Sequence, residues 1–250
     1  MLNCTLLINF CTFAAIMTSI KKTTFDFEKG EIILVDKPLR WTSFDVVNKI
    51  RYATRVKKVG HAGTLDPLAT GLLIICIGKA ATKQIDNFLN DDKEYEGIFT
   101  LGATRPSYDM ETDIDQHFDT SNITEADILH AAQQLTGNIN QMPPMYSAIK
   151  VDGKRLYESA RKGVDIAVQA RPVTIHEFEI TQINLPNVHF RIWCSKGTYI
   201  RSMAHDFGKL LNNGAYLSEL RRTKSGSFSI NDAWSLDELI KVLSSVATQK

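Results

Sequence analysis

Gly60-His61-Ala62-Gly63-Thr64-Leu65-Asp66-Pro67-Leu68-Ala69-Thr70-Gly71, running directly into Leu72-Leu73-Ile74-Ile75-Cys76-Ile77, decides how the rest of the chain is read. The first part is a stiff turn. Glycines at 60, 63 and 71 open backbone angles closed to other residues, while Pro67 fixes its own φ and steers Asp66 away from the helical region. The apolar run is too short to span a bilayer and too continuous for a half-exposed strand, so it predicts a buried strand that anchors the turn. One carboxylate, Asp66, is thereby held against a rigid element. An isolated Asp-Pro pair is ordinarily only a turn, and its neighbours must supply any chemistry.

Upstream, residues 31–35 (Glu-Ile-Ile-Leu-Val) read as a strand ended by Asp36-Lys37-Pro38, since proline cannot donate to a sheet ladder. Thr42-Ser43-Phe44-Asp45 has the form of a capping box for a helix whose apolar side is Val46, Val47 and Ile50. Downstream, residues 93–102 alternate as a strand with Tyr95 on one face. Thr124-Glu125-Ala126-Asp127 opens a helix carrying Ile128, Leu129, Ala132 and Leu135, with Gly137 as its expected C-cap. Gln141-Met142-Pro143-Pro144-Met145-Tyr146-Ser147-Ala148-Ile149-Lys150 is a proline-marked loop, and a basic helical stretch is expected from Gly153 to Lys162. Residues 188–194 alternate as a strand leading into Gly197-Thr198-Tyr199-Ile200-Arg201. A helix over 202–211, a strand or turn over 217–222 and a last helix capped by Ser235 complete the pattern.

The chain has 250 residues, 44% apolar and 23% charged, which suits a globular enzyme of one large domain or two intimate ones. Its net charge of +1 hides a segregation of sign. Between Arg105 and Lys150 there is no Lys or Arg, whereas Asp109, Glu111, Asp113, Asp115, Asp119, Glu125 and Asp127 all fall there, predicting a face that repels polyanions. Lys49, Arg51, Arg55, Lys57 and Lys58 form an acid-free run, and Lys150, Lys154, Arg155, Arg161, Lys162, Arg171, Arg221, Arg222 and Lys224 make the later half basic. Such segregation fits a phosphate-contacting side. Cysteines at 4, 11, 76 and 194 show no CxxC spacing, pointing to free thiols and a reducing, cytoplasmic setting. No HxxxH pair, calcium loop, GxGxxG or GxxxxGK[ST] is present, so neither a metal nor a cofactor is expected.

Residues 1–16 are apolar, but they lack the positive leading region of a signal peptide and are interrupted by Asn3, Thr5, Asn9 and Thr12. Met17 precedes a polar segment and is the expected start of translation. Residues 1–27 are therefore set aside as a leader, disordered or not translated before Met17, and no other segment could cross a membrane.

The glycine-aspartate turn, Asp36-Lys37-Pro38 with Thr42-Ser43, Met145-Tyr146-Ser147-Ala148-Ile149-Lys150 and Gly197-Thr198-Tyr199-Ile200-Arg201 together resemble the motifs of the TruB family of pseudouridine synthases, over about 30–234. One departure is Arg40 before Trp41, where family members usually place glycine. The resemblance implies an α+β pseudouridine synthase fold: a mixed, mostly antiparallel central sheet flanked by helices, in a catalytic domain over 28–234. A basic, thumb-like insertion at about 141–168 would close over RNA, with a C-terminal helix and tail at 235–250 and no room for a C-terminal PUA domain. It implies isomerisation of uridine-55 in the TΨC loop of tRNA to pseudouridine, without cofactor, with the TΨC arm as partner; independently of it, a monomer is expected.

By the same resemblance Asp66 is the nucleophile, Arg201 its guanidinium partner, and Tyr95 the group that stacks on the base and assists removal of the C5 proton. His61 would fill the place of the extruded base, Tyr199 would pack beneath the site, Leu220 would line the pocket, and Lys37 and Pro38 would buttress it. A carboxylate shut away from water needs a cation beside it to stay charged, and a planar guanidinium suits that task. A base stacked inside a folded arm must be flipped out, at a cost of a few kcal/mol. Two competing readings are a tRNA-binding or folding module without catalysis, and a retaining N-glycosidase, which would need a second acid that the motif itself does not contain.

Overall fold

The computed structural model describes residues 23–147, 150–151, 154–156 and 168–248. The expected leader up to residue 22 and most of the expected thumb lie outside the described residues. Strand β1 (Glu31–Lys37) leads to helix α1 (Ser43–Thr54), then β2 (Val59–Ala62) and β3 (Ala69–Ile77), and short helices α2 (Lys79–Thr82) and α3 (Ile85–Leu89) follow. Next come β4 (Lys93–Leu101), the small pair β5 (Ala103–Thr104) and β6 (Gln116–His117), α4 (Glu125–Gln134) and β7 (Gly137–Gln141). After β8 (Lys150–Val151) and β9 (Lys154–Arg155), the long strands β10 (Arg171–Asn184) and β11 (Asn187–Cys194) precede α5 (Ile200–Leu210) and β12 (Ala215–Ser225). The end is β13 (Phe228–Ser229), β14 (Trp234–Ser235) and α6 (Leu236–Thr248).

One ten-stranded sheet runs β14-β1-β3-β12-β4-β11-β10-β7, with β2 on β3 and β13 on β12. Its pairs are antiparallel except β1 with β14 and β3 with β12. This is the mixed, mostly antiparallel α+β arrangement the motifs implied. The parallel β3–β12 seam brings Leu220, Arg221 and Arg222 beside Ala69, Thr70 and Gly71, so the distant C-terminal strand flanks the Asp66 turn.

Each half of the sheet has its own core. On one side α1 and α6 cover β1 and β3, with Val46, Val47, Ile50, Leu239 and Leu243 packed on Val35, Leu73 and Ile75. On the other, α4 and α5 cover β4, β10 and β11, with Phe99, Phe190 and Phe207 at the centre. Phe99 and Phe190 have ring centroids 4.2 Å apart. Burial of such side chains, each worth roughly 1.5–3 kcal/mol, holds the halves rigid around their junction.

Both capping boxes form: Thr42 with Asp45 on α1, and Thr124 with Asp127 on α4. Several local expectations differ. Helix α4 ends at Leu135, and Gly137, at φ 97°, opens β7 instead of capping the helix. Lys154 and Arg155 pair with Lys150 and Val151 as a hairpin, where the sequence predicted helix from Gly153. Phe25 and Phe27, placed in the leader by the sequence, pack against the α1–β3 core. No helix among the described residues is long and apolar enough to cross a membrane.

Candidate active site

The Asp66 turn is held from three directions. Ser43, first residue of α1, accepts the Leu65 amide at 2.9 Å and donates to the Leu65 carbonyl at 3.1 Å. Arg40 donates its amide to the Pro67 carbonyl at 2.8 Å. The Ala69 amide closes the turn onto the Asp66 carbonyl at 3.1 Å. Arg40 itself sits at φ 66°. This is a conformation glycine adopts freely, so the departure from the family pattern keeps the loop shape at the cost of local strain.

Of the turn's glycines, Gly63 (φ 85°) and Gly71 (φ 104°) use the left-handed region. Gly60 does not use it, and a Cβ there would meet only the tip of the Ile85 side chain, 2.7 Å away at Cδ1, which can shift. At Gly71 a Cβ would lie 2.3 Å from the Arg222 carbonyl oxygen, so its absence permits the tight β3–β12 seam.

Arg201, from the first turn of α5, reaches Asp66 with Nε 3.0 Å from Oδ2. The Arg201 side chain is 5% exposed, whereas Asp66 is 43% exposed, and both line a pocket shared with Asp109, Leu68, Leu217 and Leu220. The same Nε lies 3.6 Å from Oδ2 of Asp109, whose side chain is 7% exposed. One guanidinium therefore lies against two carboxylates. Its Nη1 donates to the Tyr146 carbonyl at 2.9 Å, tying the loop after β7 to α5.

Asp109 was not anticipated; its acidic run predicted a solvated, repelling face, and here that prediction fails. Tyr108 at φ 64° turns the chain, its carbonyl accepts the Leu217 amide at 2.8 Å, and its ring stacks on His205 at 4.0 Å. Asp109 is thereby pointed inward. Burial pushes its carboxyl above the usual range although Arg201 pulls the other way.

Arg222 is a second residue the sequence reading did not single out. It is 1% exposed, donates Nε to the Leu72 carbonyl at 2.7 Å and Nη2 to the Gly63 carbonyl at 3.0 Å. It clamps the turn on both sides of Asp66. It also touches the hydroxyl of Tyr95, with which it pairs across β4 and β12. Its neighbour Arg221 points to the other face and grips Asp36 at 2.7 and 3.1 Å.

Lys37 is wholly buried, donating to the Trp41 carbonyl at 2.6 Å and the Pro38 carbonyl at 3.1 Å. Burial lowers its ammonium to about 8, the Asp66 charge opposing and the Arg222 charge adding to that shift. His61 is half-buried on β2, its pKa lowered by burial and then by Arg222, and its Nδ1 is buried with no hydrogen-bond partner among the described residues. Tyr199 occupies the N-cap of α5, and the Gln141 side chain holds it by accepting its amide at 2.8 Å and donating to its carbonyl at 3.1 Å. Tyr95 and Leu220, both half-buried, pack against the aromatic core. Asp66, Arg201 and Leu220 thus line one pocket, Lys37, Tyr95 and Tyr199 lie close enough to feel the Asp66 charge, and His61 lies close enough to feel that of Arg222.

Among the described residues no group of three His, Cys, Asp or Glu side chains is arranged to hold a metal ion. What the junction offers is one accessible carboxylate backed by the buried cations Lys37, Arg201 and Arg222.

Comparison with known proteins identifies the family. The model of the TruB family pseudouridylate synthase N-terminal domain matches residues 51–200, and that of the tRNA pseudouridylate synthase B C-terminal domain matches 201–249. The chain is 54% identical to tRNA pseudouridine synthase B of Flavobacterium johnsoniae over 84% of its own length and 95% of that protein. It is 50% identical to the protein of the same name from Chloroherpeton thalassium, over 85% and 90%. Among solved structures, a chain of a Cbf5-Nop10-Gar1 complex superposes with a TM-score of 0.67 at 30% identity, covering 86% of this chain and 54% of that one. The chain thus spans about half the length of that solved protein. A chain of an H/ACA RNP bound to a substrate RNA containing 2'-deoxyuridine gives 0.64 at 28% identity, covering 85% and 53%. Separated motifs that meet at one junction, and a family model that matches more than half the sequence, lead to the same statement: this chain belongs to the TruB family of pseudouridylate synthases.

Proposed function

We propose that this protein isomerises uridine-55 in the TΨC loop of tRNA to pseudouridine, with Asp66 as nucleophile. The observation that carries the reading is the 3.0 Å contact between Arg201 and Asp66, two residues from separate motifs. In the reaction the bond from C1′ to N1 breaks, the uracil turns, and a bond from C1′ to C5 forms. The C5 proton leaves and N1 gains one, so no oxidant, reductant or nucleotide is consumed. A carboxylate that attacks the nucleoside is the group such a reaction needs.

Asp66 faces the pocket and attacks, while Arg201 orients it and keeps its charge tolerable once the flipped base has displaced water. Tyr95 stacks on the base and assists loss of the C5 proton. Leu220 lines the pocket and Tyr199 supports it from beneath. His61, whose burial favours the neutral ring, takes the place of the flipped base by stacking and hydrogen bonding, not by proton transfer. Lys37 and Pro38 buttress the turn. The domain extends over 28–234, with a thumb at about 141–168 that closes on the TΨC arm, and a helix and tail at 235–250. The protein acts as a cytoplasmic monomer.

Asp109 supplies a second carboxylate near the first, the feature an N-glycosidase would need. It lines the same pocket, but its side chain is 7% exposed against 43% for Asp66, and it is engaged by Arg201 and by the Glu111 amide at 2.9 Å, which favours a holding role over activation of a water. The test is tRNA tritiated at uracil C5. Release of label to water with the base retained in RNA supports isomerisation; free labelled uracil would mean glycosidic cleavage, and intact labelled tRNA a module that only binds.

A further inference from the structure

We infer that the outer face of α1 is a second RNA-contact surface, carrying the phosphate backbone that continues away from the target uridine. This rests on the reading above of the site as one that acts on RNA. Phe44, Asn48, Arg51, Tyr52 and Arg55 are spaced to share one face of the helix. Tyr52 is 87% exposed and Phe44 58%, unusual for two large aromatics on one helix face. Arg51 lies over the Phe44 ring at 5.7 Å, and its Nη2 donates to the Val59 carbonyl at 2.7 Å, so this aromatic-cation pair is anchored to the neighbouring strand. An open groove runs along Asn48, Arg51, Tyr52, Arg55 and Lys57.

Charge selects the occupant. From Val46 to Leu65 there is no acidic residue, and the exposed Lys49, Arg55, Lys57 and Lys58 have no carboxylate partner among the described residues. Free cations interleaved with exposed aromatic rings suit phosphates and unstacked bases. Position selects the same partner. The stripe begins beside Ser43, whose hydroxyl holds Leu65 next to Asp66, and a helix of 12 residues carries it about 18 Å from the catalytic turn. That length reaches several successive phosphates of the RNA whose loop enters the site.

The experiment compares wild type with the triple variant Lys49→Gln/Arg55→Gln/Lys57→Gln, and separately with Tyr52→Ala, by equilibrium binding of unmodified tRNA over a salt series. All four side chains are exposed, and circular dichroism with thermal unfolding checks that the fold is kept. The triple variant should bind about tenfold or more weakly at low salt, and its log Kd should depend on log salt with a slope smaller by about two. Tyr52→Ala should cost roughly fivefold or more, as loss of a stacking contact does. Unchanged affinity and slope in the folded triple variant overturn the inference, including the case in which the variant instead loses a copurifying acidic protein. Tritium release by wild type, scored beside the binding, keeps the two readings apart: label released with unchanged binding sinks the α1 surface alone, whereas no label released sinks the reading of the site.

Discussion

Two turns present a carboxylate to the same guanidinium, and they differ in almost everything else. The Asp66 turn is short, glycine-rich and tied to α1 and β12, and its carboxylate is 43% exposed at 3.0 Å from Arg201 Nε. The Asp109 turn lies in an acidic, irregular segment, and its carboxylate is 7% exposed at 3.6 Å from the same nitrogen. Both line one pocket, but the half-exposed carboxylate is the one a substrate can reach, and the buried one is placed to hold the cation. On the proposed function, that difference gives Asp66 the chemistry and Asp109 the orientation of Arg201.

The sharpest break of this comparison is Asp66→Asn. It should retain tRNA binding and lower turnover by about 10⁴-fold or more, as loss of a nucleophile does; rapid tritium release by this variant would remove Asp66 from its role. Next is Arg201→Met, which leaves Asp109 buried without its cation. Chemical denaturation should show a loss of about 3–5 kcal/mol, together with a severe loss of turnover. Asp109→Asn should be milder, lowering single-turnover rates by about 10- to 100-fold, because the amide keeps the shape but not the charge that fixes Arg201.

A smaller effect sharpens the Asp66 side. The Lys37 ammonium is lowered from 10.5 to about 8 by burial. Between those values the unfolded chain binds more protons than the folded one, so this group's penalty is present below about 8 and relieved as pH rises towards 10.5. Wild type should therefore gain about 2 kcal/mol of stability relative to Lys37→Met between pH 8 and 10, measured by denaturant unfolding at each pH. Smallest is Arg40→Gly. Relief of the left-handed backbone, partly offset by greater freedom in the unfolded chain, should raise stability by about 0.5–1 kcal/mol with turnover retained.

The same contrast explains what could be read before any coordinates existed. Strand β3, both capping boxes and the Asp66 turn were visible because their signals are local: an unbroken apolar run, a Thr three residues before an Asp, glycines and a proline around one carboxylate. Asp109 was not, because a single inward-facing acid in a run of solvated ones has the same residue type as its neighbours. Only the positive φ of Tyr108 and the bridge from Asp109 to Leu217 turn it inside. Arg222 was half visible. Adjacent arginines on a strand must face opposite ways, but which one faces the site depends on the parallel seam between β3 and β12. Gly137 misled because a glycine just past a helix fits a cap and a strand start equally well.

The central claim, that one arginine serves an attacking and a holding carboxylate, is tested most directly by single-turnover tritium release from C5-labelled tRNA with Asp66→Asn and Asp109→Asn side by side. The account predicts no release from the first and slow but complete release from the second. Release from Asp66→Asn, or an Asp109→Asn variant that is folded, binds tRNA and is equally inert, would contradict it.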